Sequence, residues 1–225
     1  MTATLAAASP ITAQAATRGY TITSFDAIRV DAPVRVVLTT GVGVSAKAEG
    51  DQSALDRLKV DVSGRLLTIT MERALPGQKG GAATLRLSTG AISRVVLTGG
   101  GSVTLDGMKG LRGEIVLGGN GDVSVGALNL DRLDLSLAGG GRATLAGRAA
   151  VANIRVNGPG AVAAESLKTQ QATIANDGPG SVTLVADGPT RITASGSGDV
   201  TITGKGACTV DNRGTGRIAC GGESY

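Results

Sequence analysis

The stretch LGGNGDVSV, residues 117–125, sets three glycines around an asparagine, then an aspartate, then two valines alternating with a serine. Alone it reads as a phosphate-cradling loop, a calcium turn, or a corner between strands. Its recurrence favours the corner. The motif returns as GGGSVTL (99–105), GNGDVSV (119–125), GGGRATL (139–145), GPGAVAA (158–164), GPGSVTL (178–184), GSGDVTI (196–202) and GTGRIAC (214–220). The leading glycines are spaced 20, 20, 19, 20, 18 and 18 residues apart, which marks a repeat architecture.

Columns emerge from the alignment. Four residues after the leading glycine stand Val103, Val123, Ala143, Val162, Val182, Val200 and Ile218, and six after it Leu105, Val125, Leu145, Ala164, Leu184, Ile202 and Cys220. Small or hydroxylated residues separate them, so the alternation has period two and marks a strand with one buried face. A second strand precedes each loop. Its inward column is Val95, Ile115, Leu135, Ile154, Ile174, Ile192 and Val210, and its outward neighbours Arg94, Glu114, Asp134, Asn153, Thr173, Arg191 and Thr209 are all polar. A strand–turn–strand unit of this length cannot bury its apolar face alone. Stacking the units gives an all-β fold, a parallel β-helix (solenoid) of about seven regular 18–20-residue coils, roughly 35 Å long.

The third loop position is always glycine: Gly101, Gly121, Gly141, Gly160, Gly180, Gly198 and Gly216. A type II turn needs positive φ there and favours proline just before it, where Pro159 and Pro179 stand. The expectation is seven such turns, with glycine serving the backbone rather than a ligand.

The expected domains are an export-signal remnant at 1–17, a single β-helix domain at 18–221 and a tail at 222–225. The domain divides into irregular N-terminal coils acting as a β cap (18–90) and the Gly-x-Gly repeats (91–221). The signal reading rests on an uncharged, alanine-rich start with a small-x-small AQA at 13–15. Within the cap, DQSALDRLKV (51–60) reads as a polar interruption able to turn helical, and PGQKGGAA (76–83) as an exposed loop.

Cys208 and Cys220 are the only cysteines, both of inward parity in the last coil. A disulfide there would pin the C-terminal end by about 3 kcal/mol and would require an oxidising compartment. The alternative is two buried free thiols. Two cysteines without any histidine do not make a zinc site.

Composition narrows the chemistry. The chain of 225 residues has 36 glycines, no His, no Trp, one Phe and two Tyr. That removes the commonest general base and metal ligand, and the stacking platforms for single-stranded nucleic acid. The net charge of +4 is spread singly, without a basic run, so no nucleic-acid partner is expected. No apolar stretch is long enough for a transmembrane helix.

The dinucleotide fingerprint fails because its third glycine is absent and a strand follows each loop. The calcium nonapeptide fails because Asp122 stands one place early, and Arg142 and Arg217 share its column. An ice-binding face would want two threonine rows, and only Thr104, Ser124, Thr144, Thr183 and Thr201 form one. Glycan hydrolysis wants paired carboxylates, whereas Glu114 and Asp134 lie beside Arg94 as a charge ladder. Neither catalytic residues nor a cofactor are expected.

The opening FDAIRVDAPVRVVLTTG (25–41), then AEGD (48–51), GRLLTI (64–69) and the successive GSGDVTI-like loops resemble the auto-transporter adhesin head GIN domain family, from about Arg18 to Gly221. The resemblance implies an exported, right-handed β-helix with adhesion as its theme and no catalytic residues to carry over. The functional expectation is therefore a non-catalytic scaffold or adhesion-type surface of the bacterial envelope, whose partner is a cell-surface glycan or protein. The alternatives are a carbohydrate-active β-helix enzyme and a self-associating structural protein using the outward spot Val96 and Val116.

Overall fold

The computed structural model describes residues 16–75 and 81–224. The export-signal reading and most of the 76–83 loop fall outside these residues.

The N-terminal elements are β1 (Ala16–Gly19), β2 (Ala27–Asp31), β3 (Arg35–Thr40), β4 (Ser45–Gly50), α1 (Gln52–Arg57), β5 (Leu58–Ser63), β6 (Leu66–Met71) and β7 (Ala83–Thr89). The repeats supply β8 (Arg94–Leu97), β9 (Ser102–Leu105), β10 (Met108–Gly118), β11 (Asp122–Ala138), β12 (Arg142–Asn157), β13 (Ala161–Asn176), β14 (Ser181–Ala186), β15 (Thr190–Ala194), β16 (Val200–Thr203), β17 (Cys208–Asn212), β18 (Ile218–Cys220) and β19 (Glu223–Ser224). The chain is a nearly all-β solenoid of about six turns. That is one fewer than expected, because seven corners bound six complete circuits.

The stacking follows the sequence columns. Ile115 lies in register with Val95 and Leu135, and Leu135 with Ile154, then Ile174, Ile192 and Val210. Val123 likewise stacks between Val103 and Ala143, and the row continues to Ile218. From Val95 to Ile192, and from Val103 to Ile218, these side chains are buried. Each fully buried Val, Leu or Ile contributes about 1.5–3 kcal/mol.

The coils carried by β10 to β13 also have a third strand segment that the loop alignment does not show. Lys109, Asn129, Arg148 and Lys168 stack in register there, with Met108, Leu128, Ala149 and Leu167 buried beneath this face. β11, β12 and β13 run 17, 16 and 16 residues because each bends from the face after the glycine corner onto this one. Differences in coil length are absorbed at that bend. The register slips between Val125 and Leu128, between Thr144 and Ala146, and between Ala164 and Lys168.

The N-terminal region joins the stack out of chain order. β2 lies parallel to both β6 and β8, and β3 parallel to both β7 and β9, so the first strand pair is sandwiched beneath the repeats. Beyond it the sheet turns antiparallel, with β4 on β7, β5 on β6 and β1 on β4. These strands cover the open parallel edges, which would otherwise template pairing with another chain.

The polar interruption forms the short helix α1, whose Ala54 and Leu55 are buried against the core. Arg18 donates from Nη1 to the Leu55 carbonyl at 2.7 Å. Exposed ion pairs lace the cap, Lys47–Glu49 at 3.0 Å and Lys59–Glu72 at 2.6 Å. The hydrogen bond from Lys47 holds the Glu49 carboxyl below its ordinary range, and Lys59 does the same to Glu72. Their contribution is present above that range and lost as pH falls through it, and exposure to solvent keeps it small.

Candidate functional site

Three features were candidates for function: the glycine corners, the cysteine pair and the outward columns. At the corners the structure corrects the turn chemistry. None of the third-position glycines, Gly101 to Gly216, has positive φ. At the corners positive φ falls on the leading glycines Gly119, Gly139 and Gly158, at 128°, 122° and 133°.

What the third position requires is room. A Cβ on Gly121 would lie 2.5 Å from the Gly101 carbonyl oxygen, and one on Gly160 2.5 Å from that of Gly141. Gly141, Gly180, Gly198 and Gly216 meet the equivalent oxygen one coil below at still closer range. Most of these oxygens cannot move aside, because they accept hydrogen bonds from the next coil. Asp122 N–H donates to Gly101 O at 3.1 Å, Arg142 N–H to Gly121 O at 3.3 Å, Ala161 N–H to Gly141 O at 3.0 Å and Ser181 N–H to Gly160 O at 3.1 Å. The corners form a close-packed backbone ridge.

Two corners carry an added brace. Asn176 is buried in an inward column that holds Leu97, Leu117, Leu137 and Val156 in the coils below, and donates from Nδ2 to the Gly180 carbonyl at 2.8 Å. Asn212 does the same for Gly216 at 3.1 Å. Asn176→Ala is expected to lower stability by about 1–3 kcal/mol by leaving that carbonyl without its donor, read from urea unfolding. A change below about 0.5 kcal/mol would show that the brace is dispensable.

Cys208 and Cys220 form a disulfide with Cα atoms 6.4 Å apart. It joins β17 to β18, two different faces of the last coil, and so spans the end of the core. β19 pairs antiparallel with β18 beside it, while β17 pairs only with β15 among the described residues.

The outward columns separate by face. On the strands before the corners, Arg94 pairs with Glu114 at 3.3 Å and Arg112 with Asp134 at 2.8 Å, while Asn153 donates to the other oxygen of Asp134 at 2.8 Å. Glu114 and Asp134 thus belong to a charge ladder. Val96 and Val116 lie in register on the same face, half-buried beside it. On the strands after the corners, Asp122 stacks between Ser102 and Arg142, and the threonine row stands in register beside them. Among the described residues no group of three or more His, Cys, Asp or Glu is placed to hold a metal ion. No described helix is long and apolar enough to cross a membrane.

The third face holds what the loop alignment missed. A groove of about 500 Å³ crosses β11, β12 and β13 and ends at the turn after β14. Its exposed polar lining is Asn129, Asp131, Arg148, Lys168, Gln170 and Asp187, over the buried Leu130, Ala149 and Thr169. It lies beside the point where the period drops from 20 to 18 residues and the register slips between Ala164 and Lys168. Arg148 donates from Nε to Asn129 Oδ1 at 2.8 Å. The signal for this site was Leu128-x-Leu130 with its polar neighbours, legible only once the bend is placed.

Residues 24–206 match the family described as "Putative auto-transporter adhesin, head GIN domain". The chain belongs to this family. A solved structure titled as a putative adhesin from Bacteroides fragilis is 19% identical, with TM-score 0.76 over 93% of this chain and 98% of that one. A second, titled a putative lipid binding protein from Parabacteroides distasonis, is 20% identical, with TM-score 0.72 over 92% and 97%. A third, a putative adhesin from Parabacteroides merdae, is 20% identical, with TM-score 0.69 over 92% and 96%. At these identities the likeness is one of fold. No curated protein matches the chain.

Proposed function

We propose that this head GIN domain is an exported, non-catalytic binding module of the bacterial cell envelope that presents a rigid face to a surface glycan or protein. The observation that carries this reading is the polar groove on the third face. It spans several stacked strands whose backbone is set by the sheet, and Arg148 is held by its hydrogen bond to Asn129, so the backbone needs no ordering to bind. Membership of an adhesin-named family supports the same theme. The Cys208–Cys220 disulfide supports an oxidising compartment outside the cytoplasm.

The test is a glycan array and whole-cell binding assay with the purified chain, run beside a degradation screen of the same polysaccharides. Binding without released product is expected. Cleavage abolished by a single acidic or basic substitution would replace this reading with a carbohydrate-active enzyme.

A further inference from the structure

We propose that the groove binds a carboxylate-bearing glycan chain, with Arg148 and Lys168 holding the sugar carboxylate. The inference rests on the binding-module reading and names the ligand class of its groove.

Arg148 and Lys168 stand directly opposite each other on adjacent parallel strands, about one strand spacing of ~4.8 Å apart. Like charges in register repel and destabilise a sheet. Elsewhere single cations pair with carboxylates, as in Arg94–Glu114, Arg112–Asp134 and Lys59–Glu72. Among the described residues neither Arg148 nor Lys168 has a carboxylate partner. An anion entering the groove would neutralise the pair.

The guanidinium is also oriented. Its Nε is occupied by Asn129 Oδ1, which leaves Nη1 and Nη2 as the free edge. That edge matches the two oxygens of a carboxylate, and Lys168 adds a point charge beside it.

The rest of the groove selects a glycan over other anions. Asp131 and Asp187 line it together with Gln170. Their carboxylate and amide oxygens accept hydrogen bonds from sugar hydroxyls, which a glycan chain carries on every residue. The volume lies within the range of small-ligand sites. The groove runs across strands along the solenoid axis, which suits an extended chain better than a compact headgroup. No aromatic residue lines it, so binding rests on charge and hydrogen bonds and weakens with salt.

The experiment titrates the full chain calorimetrically with galacturonate and glucuronate oligomers, their methyl esters of equal length, neutral oligomers, and phosphatidylglycerol vesicles. The acid oligomers are expected to bind, less tightly at high salt, and the esters not to bind. R148A and K168A should each weaken binding by about tenfold or more, while circular dichroism melts stay at or above the wild-type midpoint. The inference is overturned if no acid oligomer binds, if the esters bind equally, if either substitution leaves affinity unchanged, or if vesicles bind instead. Binding of a neutral glycan unaffected by R148A would overturn this inference and leave the binding-module reading standing. Cleavage of an oligomer would overturn that reading.

Discussion

Gly180→Ala is expected to lower stability by about 3 kcal/mol or more, a drop on the order of 10 °C in melting temperature for a domain of this size. The new Cβ would overlap the Gly160 carbonyl oxygen and also lie 2.7 Å from the Gly158 oxygen and 2.8 Å from Val156 Cγ1. The Gly160 oxygen is tied to Ser181 N–H at 3.1 Å, so relief on that side means losing a hydrogen bond between coils. On the other side, shifting residue 180 pulls its own carbonyl from Asn176. Gly100→Ala is the matched control. It lies at a corner too, but a Cβ there meets nothing within 4 Å and its φ is not positive. That substitution should be neutral, or stabilising by about 0.4–1 kcal/mol through the unfolded chain. Urea unfolding of both variants decides the matter. Equal damage from both would mean that the corners need backbone freedom rather than space. Because coils contact mainly their neighbours, lost hydrogen-exchange protection from Gly180→Ala should centre on β13 to β16.

That contrast also shows what the sequence could reveal. The inward columns were readable because parallel strands in register repeat one buried position per coil, and Val95 to Val210 keep that position through every change of period. A glycine requirement was equally plain, but positive φ and lack of space leave the same mark in a sequence. Only the position of the neighbouring carbonyl separates them. The third face was hidden because its strand segments are short and the slips in register fall beside it, so fixed offsets from the corner misalign Arg148 and Lys168. The N-terminal order was hidden for another reason. β2 and β3 show the same alternation whichever layer they join, and their place between β6–β7 and β8–β9 is set by pairing across long separations. Asn176 and Asn212 were visible as polar residues two before a leading glycine, where Leu97, Leu117 and Leu137 stand in other coils. Their role follows only from the carbonyl four residues on.

Opening the Cys208–Cys220 disulfide should have the second large effect, about 2–4 kcal/mol, confined to one end of the molecule. The bridge closes a short loop, with a sequence separation of 12, between two faces of the last coil. The two ends of the solenoid are finished differently. At the N-terminal end α1 and the antiparallel strands β1, β4 and β5 cover the core. At the C-terminal end Cys208 and Val210 are only half-buried, and β17 has one strand partner among the described residues. Among the described residues less burial offsets the entropy of ordering this coil, so the covalent link adds what packing does not. Reduction, or Cys208→Ser with Cys220→Ser, should therefore fray β16 to β18 first. Hydrogen exchange there should quicken while β10 to β12 keep their protection, as expected for a fold whose stability is a sum of neighbour terms. Comparing denaturant unfolding with and without reductant measures the size of the loss. Two titratable thiols in the unreduced, denatured protein would remove the staple. A uniform loss of protection along the whole rod would show that the solenoid unfolds as one unit, with the bridge stabilising all of it rather than its end.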